Sequence, residues 1–168
     1  QAAALSTQQI AALGGDQLAA METLDVNALG TRQLVALSAL QLGALGTQQL
    51  NALGTAQFAA LTTSQLVNGL GTAQLAALDA DHIAALTTAQ LAYGLSLDNL
   101  AALTAGQLQV LRTAQIAALT TLQASALGTD QIAALLPAQM SGLSTAQMPA
   151  LSADQLAAMS TDQIAALD

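Results

Sequence analysis

The sequence predicts an all-α solenoid of very short helices, one per eight-residue repeat. Three observations carry that prediction. An octad recurs along almost the whole chain, a helix-start signature sits at the same place in each octad, and the apolar pattern suits neither one long helix nor a strand. Self-similarity at a short fixed period marks an architecture of stacked repeats. A β-solenoid is the alternative, because short repeats build those as well.

Aligned on the first residue, units begin at Leu5, Leu13, Met21, Leu29, Leu37, Leu45, Leu53 and Leu61. A nine-residue unit at 61–69 leads to Leu70, Leu78 and Leu86, and a second at 86–94 leads to Leu95. Strict octads then run to Leu167, so twenty complete units span 5–166 of a single array, 1–168. No linker, composition shift or second domain interrupts it. The consensus is Leu-(Gly/Ser/Thr)-Thr-x-Gln-(Leu/Ile)-Ala-Ala, as in Leu111 to Ala118.

Each position has a physical reading. The second is Gly, Ser, Thr or Asp in 17 of 20 units and the fifth is Gln in 17 of 20. Ser or Thr followed three residues later by Gln is a capping box: the hydroxyl accepts the N3 amide, and the Gln side chain reaches back to the N-cap amide. Gly and Asp also serve at N-cap. The exceptions at the fifth position are Asp25, His82 and Asn99, all hydrogen-bonding side chains. The first and sixth positions fall on N′ and N4, the two ends of a hydrophobic staple. Acids at the fourth position, such as Asp16, Asp130 and Asp162, fall near the positive helix end. Pro137 stands at the third position, the first helical residue, where proline is best tolerated.

A single long helix is excluded by geometry. Eight residues at ~100° each advance about 80° beyond two full turns, so the leucines would spiral round the axis. Strands fit no better, because apolar residues occupy the first, sixth, seventh and eighth positions without alternation. Helices of five or six residues are too short to persist alone, so stability has to come from stacking. The expected core is the first position (Leu29, Leu53, Leu86, Leu111, Leu127) with the sixth (Ile116, Ile132). The expected cap or ladder is the fifth-position glutamine: Gln9, Gln17, Gln57, Gln90, Gln115, Gln131 and Gln163. The extra residues of the nine-residue units fall in Asn68-Gly69 and Tyr93-Gly94, three units apart. In a coil of three units the two bulges would share an edge; coils of two or four units are the alternatives.

Composition narrows function. Hydrophobic residues make up 54 %, aromatic residues 1 % and charged residues 7 %, with a net charge of −8. There is no Lys, and Arg32 and Arg112 are the only arginines. That removes the basic footprint that nucleic acid requires and any attraction to an anionic membrane surface. No apolar run approaches the roughly 20 residues that span a bilayer. With no Cys there is no disulfide framework, thiolate zinc site or Cys nucleophile. The first residue is Gln and no signal peptide is visible, so the sequence reads as a processed product or part of a longer one.

Catalytic chemistry finds no foothold. His82, the only histidine, occupies a glutamine slot, and the nearby Asp79 and Asp81 occupy N-cap and N2 positions. No base is available to activate a serine or threonine, and Gly14-Gly15 forms no phosphate loop. The expectation is no enzyme, no cofactor and no metal. Thr fills the third position in 13 of 20 units, so a repeating threonine face is a candidate surface for a partner, a glycan or ice.

Units such as Leu86-Thr87-Thr88-Ala89-Gln90-Leu91-Ala92 and Leu143-Ser144-Thr145-Ala146-Gln147-Met148 carry a family resemblance. They resemble the LTTAQIAAL-type octapeptide arrays of large secreted bacterial surface proteins, often described as adhesins or heme-utilisation/adhesion proteins. The resemblance covers essentially the whole chain and implies an extracellular or cell-surface setting. Heme binding is not expected, since His82 is alone and Tyr93 is the only tyrosine. The expected function is therefore a structural scaffold or stalk, self-assembling end to end into a filament. Its expected partners are further copies of itself, end to end or side by side, or the rest of a larger surface protein.

Overall fold

The computed structural model describes residues 2–167. Among them it contains nineteen α-helices of four to seven residues and two short 3-10 helices, with no strand. The β-solenoid alternative is therefore set aside. The first coil comprises α1 (Thr7–Ala11), α2 (Gly15–Ala19) and α3 (Thr23–Asn27), preceded by a 3-10 turn at Ala2–Ala4. The second comprises α4 (Thr31–Val35), α5 (Ala39–Gly43) and α6 (Thr47–Ala52). α7 (Thr55–Ala59), α8 (Thr63–Gly69) and α9 (Thr72–Ala76) form the third. α10 (Ala80–Ala85), α11 (Thr88–Gly94) and α12 (Leu97–Ala101) form the fourth. α13 (Ala105–Gln109), α14 (Thr113–Ala117) and α15 (Thr121–Ala126) form the fifth. α16 (Thr129–Ala134), α17 (Pro137–Met140) and a unit ending in the 3-10 helix Met148–Ala150 form the sixth, and α18 (Ala153–Ala157) and α19 (Thr161–Ala165) follow.

The grouping by threes is set by packing. α5 meets α2 and α8, α8 meets α11, and α10 meets α7 and α13: each helix packs on the helix three units away. Of the two, three or four units per coil that the sequence leaves open, three is what forms. The helices stand in three columns, headed by α1, α2 and the Ala2–Ala4 turn. The two nine-residue units become the seven-residue helices α8 and α11, which are stacked in the second column.

Each octad turns the same corner. The N-cap is extended, as at Ser6 (φ −70°, ψ 162°), and the preceding leucine is extended too, as at Leu53 (φ −63°, ψ 143°). Two extended residues thus separate one helix from the next. No described residue has a positive φ, glycine included, so the corners need no left-handed residue. Pro149 replaces the seventh-position alanine, and its missing N–H leaves that unit with only the 3-10 turn Met148–Ala150.

The core is one continuous cluster. Sixth-position side chains from Ile10 to Met140 are all 0 % exposed, including the single phenylalanine, Phe58. First-position leucines, among them Leu29, Leu53, Leu86, Leu111 and Leu127, are buried beside them. Ile116 and Ile132 lie on the axis side with the rest of their position.

Candidate functional site

The repeated polar device of this molecule is its fifth-position glutamine. A glutamine amide has one carbonyl oxygen and two N–H donors, and both ends are in use. On its own helix, Gln115 Oε1 accepts the N–H of Arg112 at 2.7 Å. Toward the preceding coil, Gln115 Nε2 donates to the carbonyls of Leu86 at 2.7 Å and Ala84 at 3.2 Å. A helix leaves its first N–H groups and last carbonyls without partners. One neutral side chain here serves the start of its own helix and the end of a helix in the coil before.

The same geometry recurs. Gln57 donates to Leu29 O at 2.5 Å and Asn27 O at 2.8 Å. Gln90 donates to Leu61 O at 2.7 Å, Gln131 to Leu103 O at 2.9 Å and Gln163 to Leu135 O at 2.7 Å. First-position carbonyls from Leu5 to Leu135 each receive a fifth-position side chain from the next coil. Gln9 and Gln17 differ. Their Oε1 atoms accept Ser6 N–H at 2.8 Å and Gly14 N–H at 2.7 Å, but their amides reach no coil before them. They cap without joining the ladder.

The three exceptions show what the position demands. Asn99 is one carbon shorter: it reaches Leu70 O at 3.2 Å, while its own N-cap relies on Ser96 Oγ, which accepts the Asn99 N–H at 3.1 Å. Asp25 has no donor, and its carboxylate accepts the Ala2 N–H at 3.3 Å instead. His82 puts Nε2 2.7 Å from Leu53 O. Since a carbonyl only accepts, Nε2 carries a proton; Nδ1 is buried with no partner. The ring packs edge-on against Phe58, 5.2 Å between centroids.

Sequence reading missed the partner that compensates for His82. The Asp79 N–H, which a glutamine would have taken, is accepted by Asn51 Oδ1 at 3.0 Å from the coil before. Asn51 Nδ2 in turn donates to Ala77 O at 2.8 Å. Asn27 makes the matching bond to Ala52 O, and Gln109 Nε2 donates to Ala134 O at 3.0 Å. These side chains reach forward by one coil, opposite to the fifth-position ladder. The only signal was asparagine or glutamine at a seventh position most often given to alanine, which means nothing until the three-unit coil is known.

Glycines mark the closest approach between coils, and they mostly share the second column. A Cβ on Gly43 would lie 2.5 Å from Gly69 O, one on Gly69 2.6 Å from Ala39 O, and one on Gly142 2.5 Å from Thr113 O. One recess, open to solvent, lies between α3 and α6 and is lined by residues including Met21, Glu22, Leu24 and Gln48; Glu22 is the only titratable group in its lining. Among the described residues no three His, Asp or Glu side chains are placed to hold a metal ion. No helix is long and apolar enough to cross a membrane. What this arrangement can do is hold coil to coil along an axis.

A family model described as the ALTTAQ repeat matches residues 18–55, 40–68, 100–137 and 137–168. No curated protein and no solved structure matches the chain.

Proposed function

Because the chain belongs to the ALTTAQ repeat family, we propose that it acts as a structural scaffold, a stiff spacer or stalk at the cell surface or outside the cell, extended by end-on stacking of coils. The observation that supports this reading is the unbroken ladder: every internal coil is joined to its neighbour by three fifth-position side chains and one shared apolar core. Stability in such an array is close to a sum of repeat and neighbour terms, so length can vary without changing the local structure. That is what a spacer needs.

Deleting residues 95–118 removes three units while keeping the column order. The shortened chain should melt as one folded array and lose one coil of length, about 10 Å at helix-packing distances, in small-angle scattering. Collapse to an unfolded chain would sink the spacer reading. The surface setting has its own test: protease added to intact producing cells should remove the array, and full protection would contradict it.

A second reading is supported by Thr7, Thr31 and Thr55. They are exposed at matching places on α1, α4 and α7, which are stacked in one column. Such a row suits adhesion to a partner, a glycan or ice. Ala80 and Ala105 break it further along the same column. A thermal-hysteresis assay and glycan-array binding of the purified chain separate this reading from a pure spacer.

A further inference from the structure

In the interior of the array the ladder thins at one place, the fourth coil, where α10, α11 and α12 stand on α7, α8 and α9. Ladder glutamines elsewhere each reach two or three carbonyls of the coil before. Among the described residues, His82 in the first column reaches only Leu53 O, and Asn99 in the third only Leu70 O at 3.2 Å. Gln90, between them in the second column, keeps three: Leu61 O at 2.7 Å, with Phe58 O and Ala59 O both at 3.3 Å. The backbone departs from the pattern in the same coil. Neither α10 nor α12 has a capping box. The Ile83 N–H donates to Asp79 O at 3.4 Å, against 2.9–3.1 Å for the same bond in the other helices from Ile10 to Ile132. First-position N–H groups from Leu13 to Leu167 donate to a carbonyl of the helix just ended, except that of Leu95 at the exit of α11.

We propose that this joint is a directional hinge: the rod bends at its fourth coil, with α8 and α11 as the pivot, while the first and third columns part at His82 and Asn99. Opening at His82 also relieves a cost. Its Nδ1 is buried without a partner, such an atom is expensive to leave unpaired, and parting the first column returns it to water. The Asp79 N–H is taken by Asn51, but in an exposed bond for which water competes. The second column is the opposite case. Its helices approach most closely there: a Cβ on Gly69 would lie 2.6 Å from Ala39 O, and one on Gly94 3.1 Å from the Leu66 side chain. Three columns give the rod three edges, so loosening two of them leaves the third as the axis of bending. Local opening starts where protecting bonds are fewest, and a hinge needs a change at only a few positions. In a rod otherwise tied by glutamines, these substitutions set both the place and the sense of bending.

The test is pulsed electron paramagnetic resonance on the 168-residue chain, with pairs of labels that straddle the fourth coil in each column. Ala56 and Gly106 are exposed fourth-position residues on α7 and α13 in the first column. Ser64 and Ala114 hold that place on α8 and α14 in the second, and Ala73 and Leu122 on α9 and α15 in the third. The distance distributions for 56–106 and 73–122 should be about twice as broad as that for 64–114, each with a tail to longer distances. His82→Gln with Asn99→Gln restores glutamine at both places and should narrow the two broad distributions to the width of 64–114. Equal widths for the three pairs in the parent overturn the hinge, as does a double variant that stays as broad as the parent. Should the double variant fail to fold, the three pairs in the parent decide alone. Neither result touches the coil-deletion test, so failure of the hinge and failure of the spacer are told apart.

Discussion

At the scale of the residue, the demand on the fifth position is for an acceptor and a donor on one uncharged side chain. Glutamate has the acceptor without the donor, asparagine the donor without the reach, and histidine can serve only one of the two places. Gln115, 0 % exposed, makes one cap and two ladder bonds, whereas the exposed Gln9 makes only the cap with Ser6. At about 1 kcal/mol per hydrogen bond and more for stranded buried partners, Gln115→Ala should lower stability by about 2–3 kcal/mol and Gln9→Ala by about 1 kcal/mol or less. Urea unfolding followed by circular dichroism measures both; equal losses would mean that the ladder contributes nothing. Gln115→Glu is sharper. A buried carboxylate facing the Leu86 and Ala84 carbonyls has its pKa raised above the unfolded value, so its penalty is present above the folded pKa and fades as the pH falls through it. The variant should lose about 3 kcal/mol or more at pH 7 and recover part of that near pH 4. His82→Gln should gain about 1 kcal/mol, because the orphaned Nδ1 disappears and the Leu53 bond is kept.

At the scale of the element, a five-residue helix has no stability of its own and is shaped by its two ends and by the column it stands in. The ends could be read from the sequence. Ser, Thr or Gly three residues before Gln locates most N-caps, and the first-position leucine, often after two alanines, locates the exits. The column could not, because an octad alone does not say how many units make a turn. Asn68-Gly69 and Tyr93-Gly94 hinted at three, and their stacking as the ends of α8 and α11 makes the hint intelligible only in retrospect. The direction of the ladder was also hidden. The same Gln115 reads as a cap from local spacing, while its bonds to residues 84 and 86 depend on a fold that local spacing cannot see. Gly43, Gly69 and Gly142 look like helix-weakening residues in the sequence, yet they let backbones meet across the second column. Gly69→Ala should therefore cost about 1–3 kcal/mol through overpacking against Ala39 O. Gly106 in α13 has nothing within 4 Å of its missing Cβ, so Gly106→Ala should gain about 0.5 kcal/mol from helix propensity. Thermal melts of the two variants against the parent check the contrast; loss in both would mean that close approach is not the reason for the glycines.

At the scale of the whole molecule, the array is a rod joined coil to coil by a repeated polar ladder and one shared apolar core. Its net charge of −8 is spread over outward positions such as Asp81, Asp98 and Asp130, which are all exposed. The contacts that join coils are apolar groups and neutral amides, which salt hardly weakens, while the repulsion between exposed acids is screened over about 10 Å at 0.1 M. Raising the salt from about 0.02 to 0.5 M should therefore raise the midpoint of urea unfolding, and a fall would place ion pairs between the coils.

Three octads make one coil, and every helix stands on the one three units before it. The absence of cysteine allows spin labels to be placed at will. Ser64, Ala89, Ala114 and Ala138 are exposed fourth-position residues on α8, α11, α14 and α17. Pulsed electron paramagnetic resonance between a label at 64 and one at 89, 114 or 138 should give distances that lengthen by equal steps of about 10 Å, the spacing of packed helices. Unequal steps, or a label at 114 nearer to 64 than the label at 89, would contradict the three-unit coil.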